Sequence, residues 1–384
     1  MNDIEPFHVM ELLARAKALE AQGRDIVHME IGEPDFPTPR PICEAGIRAL
    51  EHGELFYTPA LGIPELRAAI AGFYQSQYGV TVSPSRIVIT SGSSGALLLA
   101  IAALVNPGDQ VLVADPGYPA NRHFVRMMEG EVVGVPVGPD SRYQLTPELI
   151  EQYWTERTVA ALVATPSNPT GTLIAQEHLI RMAANARRRN GVLIVDEIYH
   201  GLVYDGAARG TPTAAGAGDN VFVINSFSKY FNMTGWRLGW MVVPEAYVSD
   251  LDKLSQNIYL SAPTPAQLAA LVAFEPATLA ICEERREAFR ERRDYLVPAL
   301  SELGFDIPHM PQGAFYVYAG CGRFSRDSHA FALDLLQQAG VAITPGIDFG
   351  VHEARTHVRF AYTRPVARLR EGVRRISHYL GGLR

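Results

Sequence analysis

Short apolar runs recur along this chain, at residues 87–89, 111–113, 160–163, 192–195, 221–224 and 238–243, and alternate with longer segments of helical periodicity. Runs of that length, separated by helices, predict strands buried on both faces of a mainly parallel sheet. Ahead of them, residues 6–22 begin with Pro6, place Val9, Leu12, Leu13, Ala16 and Leu19 on one face and stop at Gly23, which predicts an amphipathic helix. The stretch HMEIGEPDFPTPRP is too rich in proline for regular structure and reads as a loop or linker. After about residue 275 the pattern changes to charged helices with weaker strands near 314–318 and 357–362. The pattern therefore predicts an α/β chain: a large domain over 46–275 whose mostly parallel mixed sheet is sandwiched by helices, and a smaller α+β domain over 276–384. The N-terminal segment, 1–45, is expected to join the smaller one.

Composition narrows the function classes. At 384 residues the chain exceeds what one hydrophobic core usually serves, in keeping with two domains. A net charge of -7 gives no electrostatic reason to expect a nucleic acid partner. The basic clusters at 186–189 and 283–293 fall in helical contexts, the second interleaved with Glu, and both read as solvated helix faces. Cys43, Cys282 and Cys321 are far apart and odd in number, which argues against a disulfide framework or a zinc site; no metal is expected. The first residues, Met-Asn-Asp-Ile-Glu, do not resemble a signal peptide, and no apolar run approaches a membrane span. The expectation is a cytoplasmic protein without a membrane partner.

Ligands on parallel sheets bind beyond the carboxyl ends of the strands, so the residues just past each apolar run are the candidates for chemistry. One run continues into TSGSSGA, where small residues lead from strand to helix and backbone N–H groups converge on a positive helix terminus, a ready phosphate site. The order Gly92-Ser93-Ser94-Gly95 is one residue short of a nucleophile elbow, and no Gly-Lys-Ser/Thr comes after it to make a P-loop. Alone, this stretch reads equally well as a tight turn without a ligand. A second run ends at Asp196, a carboxylate that burial makes costly unless a cation faces it; it caps a neighbouring helix or faces a cationic ring nitrogen. Tyr199 lies three residues on. In VATPSNPTGT, Pro169 holds Asn168 rigidly enough for one well-placed hydrogen bond, and in DPGYP, Tyr118 offers an aromatic face at a strand end.

The third run leads into NSFSKYFNMTGWRLGW. A lysine nucleophile needs desolvation or nearby positive charge to spend time neutral, and Lys229 has a strand-end setting with Arg237 eight positions on. The hydroxyls of Ser226 and Ser228 and the Arg237 guanidinium are suited to a phosphate dianion. Together these residues ask for a phosphate, a flat ring, a ring nitrogen that wants a carboxylate and a carbonyl for an amine. Pyridoxal phosphate has all four.

The chain resembles the class I/II aminotransferases, the aspartate aminotransferase-like fold type I pyridoxal phosphate enzymes. The resemblance runs nearly end to end, from IGEPDFPTP through YTPALGIPELR, NPTG, DEIY and SFSKYFNMTGWRLGW to GAFYVY, TPGIDFG and HVRFAY. It implies that Lys229 forms the Schiff base with the cofactor and then moves the proton, while Asp196 keeps the pyridine nitrogen protonated. It also implies that Tyr199 and Asn168 hydrogen-bond the ring oxygen and that Tyr118 stacks on the ring. Ser93, Ser94, Ser226, Ser228 and Arg237 would hold the phosphate. Arg359 would grip the substrate α-carboxylate, with Gly32 and Asn168 alongside. Tyr57 would reach the phosphate of a neighbouring subunit, which implies a homodimer with shared active sites; packing in the core is the other reading of that tyrosine.

The implied reaction is ping-pong transfer of an amino group from an L-amino acid to a 2-oxo acid. Some aspartate-specific relatives carry a polar residue such as lysine just after the phosphate-turn glycines, where this chain reads Ser93-Ser94-Gly95-Ala96. No arginine or lysine is evidently placed for a second carboxylate, so aspartate is not assumed as donor. A C–S lyase with the same residues is the alternative reaction. The effector-sensing domain of a transcription regulator is disfavoured by an acidic chain with only about forty residues before the sheet region.

Overall fold

The computed structural model describes residues 7–53, 55–206 and 218–382. In chain order the strands are β1 (Val27–His28), β2 (Ile87–Thr90), β3 (Gln110–Asp115), β4 (Glu131–Pro136), β5 (Thr158–Ala164), β6 (Val192–Asp196) and β7 (Val221–Ser226). They continue with β8 (Gly239–Val242), β9 (Tyr316–Gly320), β10 (Val341–Ala342), β11 (Thr344–Pro345) and β12 (His357–Ala361). Seven of them form one sheet in the order β2-β8-β7-β6-β5-β3-β4, parallel from β7 to β4 and antiparallel at both edges of β8.

The continuous apolar runs result from this arrangement, because successive side chains of a strand point to opposite faces and here both faces are covered. Val88, Val113, Leu162, Ile194, Ile224 and Met241 join one buried cluster with the helix Gly92–Leu104. Their neighbours Ile89, Leu112, Val163, Val195, Val223 and Trp240 belong to another on the opposite face. The edge strand β4 is not among the apolar runs of the sequence. Its residues are mostly exposed or half-buried and Gly134 interrupts it, so it carries no apolar signature.

In the C-terminal part, β11, β12 and β9 form a three-stranded antiparallel sheet, while β1 pairs in parallel with β10 through Val27↔Val341 and His28↔Ala342. The first helix, His8–Ala21, packs against β10, β11 and the helix Ser328–Ala339. Among the described residues no single helix is long and apolar enough to cross a membrane.

One expectation is corrected. The cluster at 283–293 is not wholly a solvated face: Arg292 and Arg293 are only 5% and 3% exposed. Arg292 makes a bidentate pair with Asp35 at 2.7 and 3.1 Å, and Arg293 reaches Asp205 at 2.8 Å and the Pro311 carbonyl at 2.9 Å. Both side chains lie on the inner side of the long helix Pro276–Leu303, where a guanidinium is tolerated because each is paired.

Candidate active site

A cavity of about 460 Å³ opens beyond the carboxyl ends of β2, β5, β6 and β7. It is lined by Ser93, Ser94, Tyr118, Asn168, Asp196, Tyr199, Ser228, Lys229, Arg237, Arg359 and Gly32, so most of the residues singled out from sequence converge there from seven different chain segments.

Asp196 is the last residue of β6 and is buried in the sheet's carboxyl edge. Burial pushes its carboxyl up to about 7, against the Ile198 N–H donated to Oδ1 at 3.1 Å and the nearby Lys229 charge. An acid at that value stands ready to ionise fully once a cation faces it. Lys229 comes just after β7, and its Nζ donates to the Gly32 carbonyl at 2.7 Å. Burial pushes this amine down to about 8; Arg359 and Arg237 act in the same direction, opposed by Glu33 and Asp196. The sequence offered both burial and the Arg237 charge as causes, and removal from water is the larger of the two. Either way the group has a neutral, nucleophilic form close to physiological pH.

The anion-binding end is built by backbone. Ser91 gives its helix no side-chain cap, so the first N–H groups of Gly92–Leu104 are free for a ligand. Arg237 lies against this turn: a Cβ on Gly92 would meet Nη2 at 2.6 Å, and Gly92 itself has φ 72°. A Cβ on Gly239 would come within 2.7 Å of the Ser93 nitrogen, so β8 approaches the turn only because this position has no side chain. Ser228 lines the cavity but Ser226 is not among the lining residues. The Ser226 hydroxyl accepts the Ser228 N–H at 3.0 Å and donates to the Leu238 carbonyl at 3.4 Å, so it shapes the turn that presents Ser228 and Lys229. Tyr57 does not line the cavity either and is 81% exposed, which rules out the core-tyrosine reading.

At the other end, Arg359 on β12 is buried and donates to Asn168 Oδ1 at 2.9 Å, the Glu30 carbonyl at 2.6 Å and Thr344 Oγ1 at 3.2 Å. Its guanidinium lies over the rings of Tyr316 and Phe349, and its Nε is buried without a hydrogen-bond partner. A fixed, flat guanidinium with an unsatisfied donor suits a carboxylate. Tyr199 and Tyr316 share a hydrogen bond at 2.7 Å, and burial holds both phenols above their ordinary values.

Sequence reasoning missed several wall residues. Tyr316 stood within GAFYVY but was given no role. Glu33, Thr234 and Phe349 border the cavity, as do Phe7, Val9 and Met10 at the start of the chain. The rings of Phe7 and Tyr118 stack with centroids 6.4 Å apart. The uncapped helix terminus, the buried Asp196 and the orphaned Arg359 Nε fit the phosphate, the ring nitrogen of pyridoxal phosphate and a substrate carboxylate in turn.

Comparison with known proteins agrees with this chemistry. The family described as aminotransferase class I and II matches residues 24–376. A valine–pyruvate aminotransferase of Mycobacterium tuberculosis is 41% identical over 377 residues, which cover 98% of this chain and 97% of that one. The aspartate/prephenate aminotransferase of Thermus thermophilus is 36% identical over 380 residues, covering 98% and 97%. A crystal structure of an aminotransferase from Mycobacterium tuberculosis superposes with a TM-score of 0.95 at 40% identity, covering 99% of this chain and 98% of that one. The chain thus belongs to the class I and II aminotransferase family and is a pyridoxal phosphate-dependent aminotransferase of the fold type I architecture.

Proposed function

We propose that this aminotransferase exchanges amino groups between a monocarboxylic amino acid with an apolar side chain and a 2-oxo acid. One observation carries the reading. Among the described residues, the lysine and arginine side chains lining the cavity are Lys229, Arg237 and Arg359, and this reading assigns them to amine chemistry, the cofactor phosphate and the α-carboxylate respectively. None of these remains for a second carboxylate, while Ile31, Ile198, Met10 and Phe7 offer apolar wall. The valine–pyruvate relative points the same way.

In this reading Arg359, oriented by Asn168, holds the substrate carboxylate and thereby turns its α-amine toward Lys229. Bound pyridoxal phosphate supplies a carbonyl for the amino group and a ring that accepts electrons. Lys229 Nζ, leaving the Gly32 carbonyl, carries the proton on and off the substrate Cα. Asp196 stabilises positive charge on the ring nitrogen, Tyr199 and Asn168 hydrogen-bond the ring oxygen, and Tyr118 covers one ring face. Ser93, Ser94, Ser228 and Arg237 take the phosphate, with Ser226 supporting the turn.

Tyr57 belongs to the same proposal as a contribution to a second subunit's phosphate site. Its exposure, with Phe56 at 76% and Leu260 at 53%, supports an apolar surface covered by another copy of this chain. The β1–β10 pairing supports assigning 1–45 and 276–384 to the small domain and 46–275 to the large one. Three free cysteines support a reducing, cytoplasmic setting.

Single-turnover reactions with valine, leucine and aspartate test the substrate class. Valine or leucine should react with a second-order rate constant at least ~10-fold above that of aspartate; a preference for aspartate would overturn the proposal.

A further inference from the structure

The helix His8–Ala21 starts at the cavity wall, where Phe7, Val9 and Met10 line it. Its first turn is held by a residue distant in sequence: Asp348 accepts the N–H groups of His8 and Val9 at 2.7 and 2.9 Å. The side chains of His8 and Glu11 meet His329, on the helix Ser328–Ala339. The two imidazoles are 5.0 Å apart between centroids, and His329 Nε2 lies 3.6 Å from Glu11 Oε2. One ligand atom from each of the three side chains stands within 4.8 Å of the others.

Two further details set this cluster apart from an ordinary surface group. His329 Nε2 is shielded from solvent yet makes no hydrogen bond. Glu11 turns Oε1 to Arg15 at 2.7 Å, which leaves Oε2 on the side of the histidines. Residues three apart on a helix share a face, so His8 and Glu11 act as a pair and His329 adds a ligand from a separate element.

We infer that His8, Glu11 and His329 form a site for a divalent transition ion of the zinc class, which clamps the cavity-lining first helix to the helix Ser328–Ala339. Two imidazoles and one carboxylate with water in a fourth position make a common zinc set. Metal–nitrogen bonds of about 2.0–2.1 Å place neighbouring ligand atoms roughly 3.3 Å apart, so small side-chain rotations close the site. A cation at a helix N-terminus opposes the helix dipole, and the Glu11 and Asp348 carboxylates beside it offset that repulsion. The expectation of no metal rested on the spacing of the cysteines and did not weigh this cluster.

The test uses metal-free holoenzyme titrated with zinc chloride by calorimetry, with hydrogen–deuterium exchange monitored over residues 8–21. Neither readout uses turnover, so the result stands apart from the proposed substrate. One ion per chain should bind and slow exchange in that helix by at least ~10-fold. In both His329→Gln and Glu11→Gln the affinity should fall at least ~10-fold and the protection should vanish, while exchange without zinc matches the parent. Glu11 is surface-placed, so its variant guards against loss of folding at position 329. Absence of stoichiometric uptake, equal affinity in the variants, or uptake that leaves exchange unchanged would each overturn the inference.

Discussion

Arg359 Nη1 donates to Asn168 Oδ1 at 2.9 Å across 191 residues of chain. The bond ties a strand of the C-terminal sheet to the turn after β5. Glu30 and Thr344 fix the same guanidinium from two other segments, so the proposed carboxylate site exists before substrate arrives. Preorganisation of this kind spares the cost of ordering a long side chain during binding.

Replacing Arg359 with Lys should therefore cost more than a conserved charge suggests, because a lysine cannot bridge Asn168, Glu30 and a carboxylate in one plane. The loss of a charged hydrogen-bond pair is about 1.5–3 kcal/mol, or ~10–100-fold in kcat/KM. Steady-state kinetics should show it chiefly as a raised KM, with the cofactor still attached.

Asp196 gives a prediction with opposite signs in the two forms of the protein. In the cofactor-free chain its carboxyl is raised from 3.8 to about 7 by burial. The folded chain then keeps a proton that the unfolded chain releases, so this residue's contribution falls as pH rises from about 4 to 7. Cofactor-free Asp196→Asn should be more stable than the parent at pH 8, on the order of 3–4 kcal/mol, with the gain shrinking toward pH 4. Chemical denaturation at several pH values measures this. With cofactor present the same substitution should lower kcat by ~10²-fold or more, because the ring nitrogen loses its anion.

Gly32 sits where a side chain cannot. A Cβ there would come 2.0 Å from Tyr316 Oη, the atom bonded to Tyr199. Gly32→Ala should displace Tyr316 and lower kcat/KM by roughly 10–100-fold, since small misplacements at a reacting centre are costly. Adding Tyr316→Phe removes the clashing oxygen, and the double variant should recover at least ~10-fold over Gly32→Ala.

The two basic clusters should separate cleanly in stability measurements. Arg292→Ala strands Asp35 near a protein interior and should cost about 3–5 kcal/mol. Arg187 pairs with Asp219 in the open, and Arg187→Ala should cost about 0–1 kcal/mol. Urea unfolding of both variants against the parent decides it.

The contrast between these arginines marks what the sequence could reveal. Lys229, Asp196, Asn168 and Arg237 come within a few residues of apolar strands, so the strand-end rule locates them without a partner being known. Arg292 could not be distinguished from its neighbours, because its partner Asp35 lies 257 residues away. Tyr316 and Asp348 were hidden for the same reason. The first meets Tyr199 across 117 residues, and the second caps the first helix from 340 residues on. Strand β4 escaped because edge exposure removes the hydrophobic signal that periodicity reads. Ser226 lies in the right segment but its hydroxyl turns inward, a rotamer outcome that spacing does not determine.

The most direct test of the central claim is an absorbance spectrum of purified protein and of Lys229→Ala, each supplied with pyridoxal phosphate and reduced with borohydride before mass analysis. The parent should show a near-visible band that one amino acid bleaches and one 2-oxo acid restores, and reduction should leave the cofactor mass on Lys229. The variant should bind cofactor without covalent retention and lose turnover. Covalent retention elsewhere, or full transamination by Lys229→Ala, would contradict the assignment of Lys229 and the mechanism built around it.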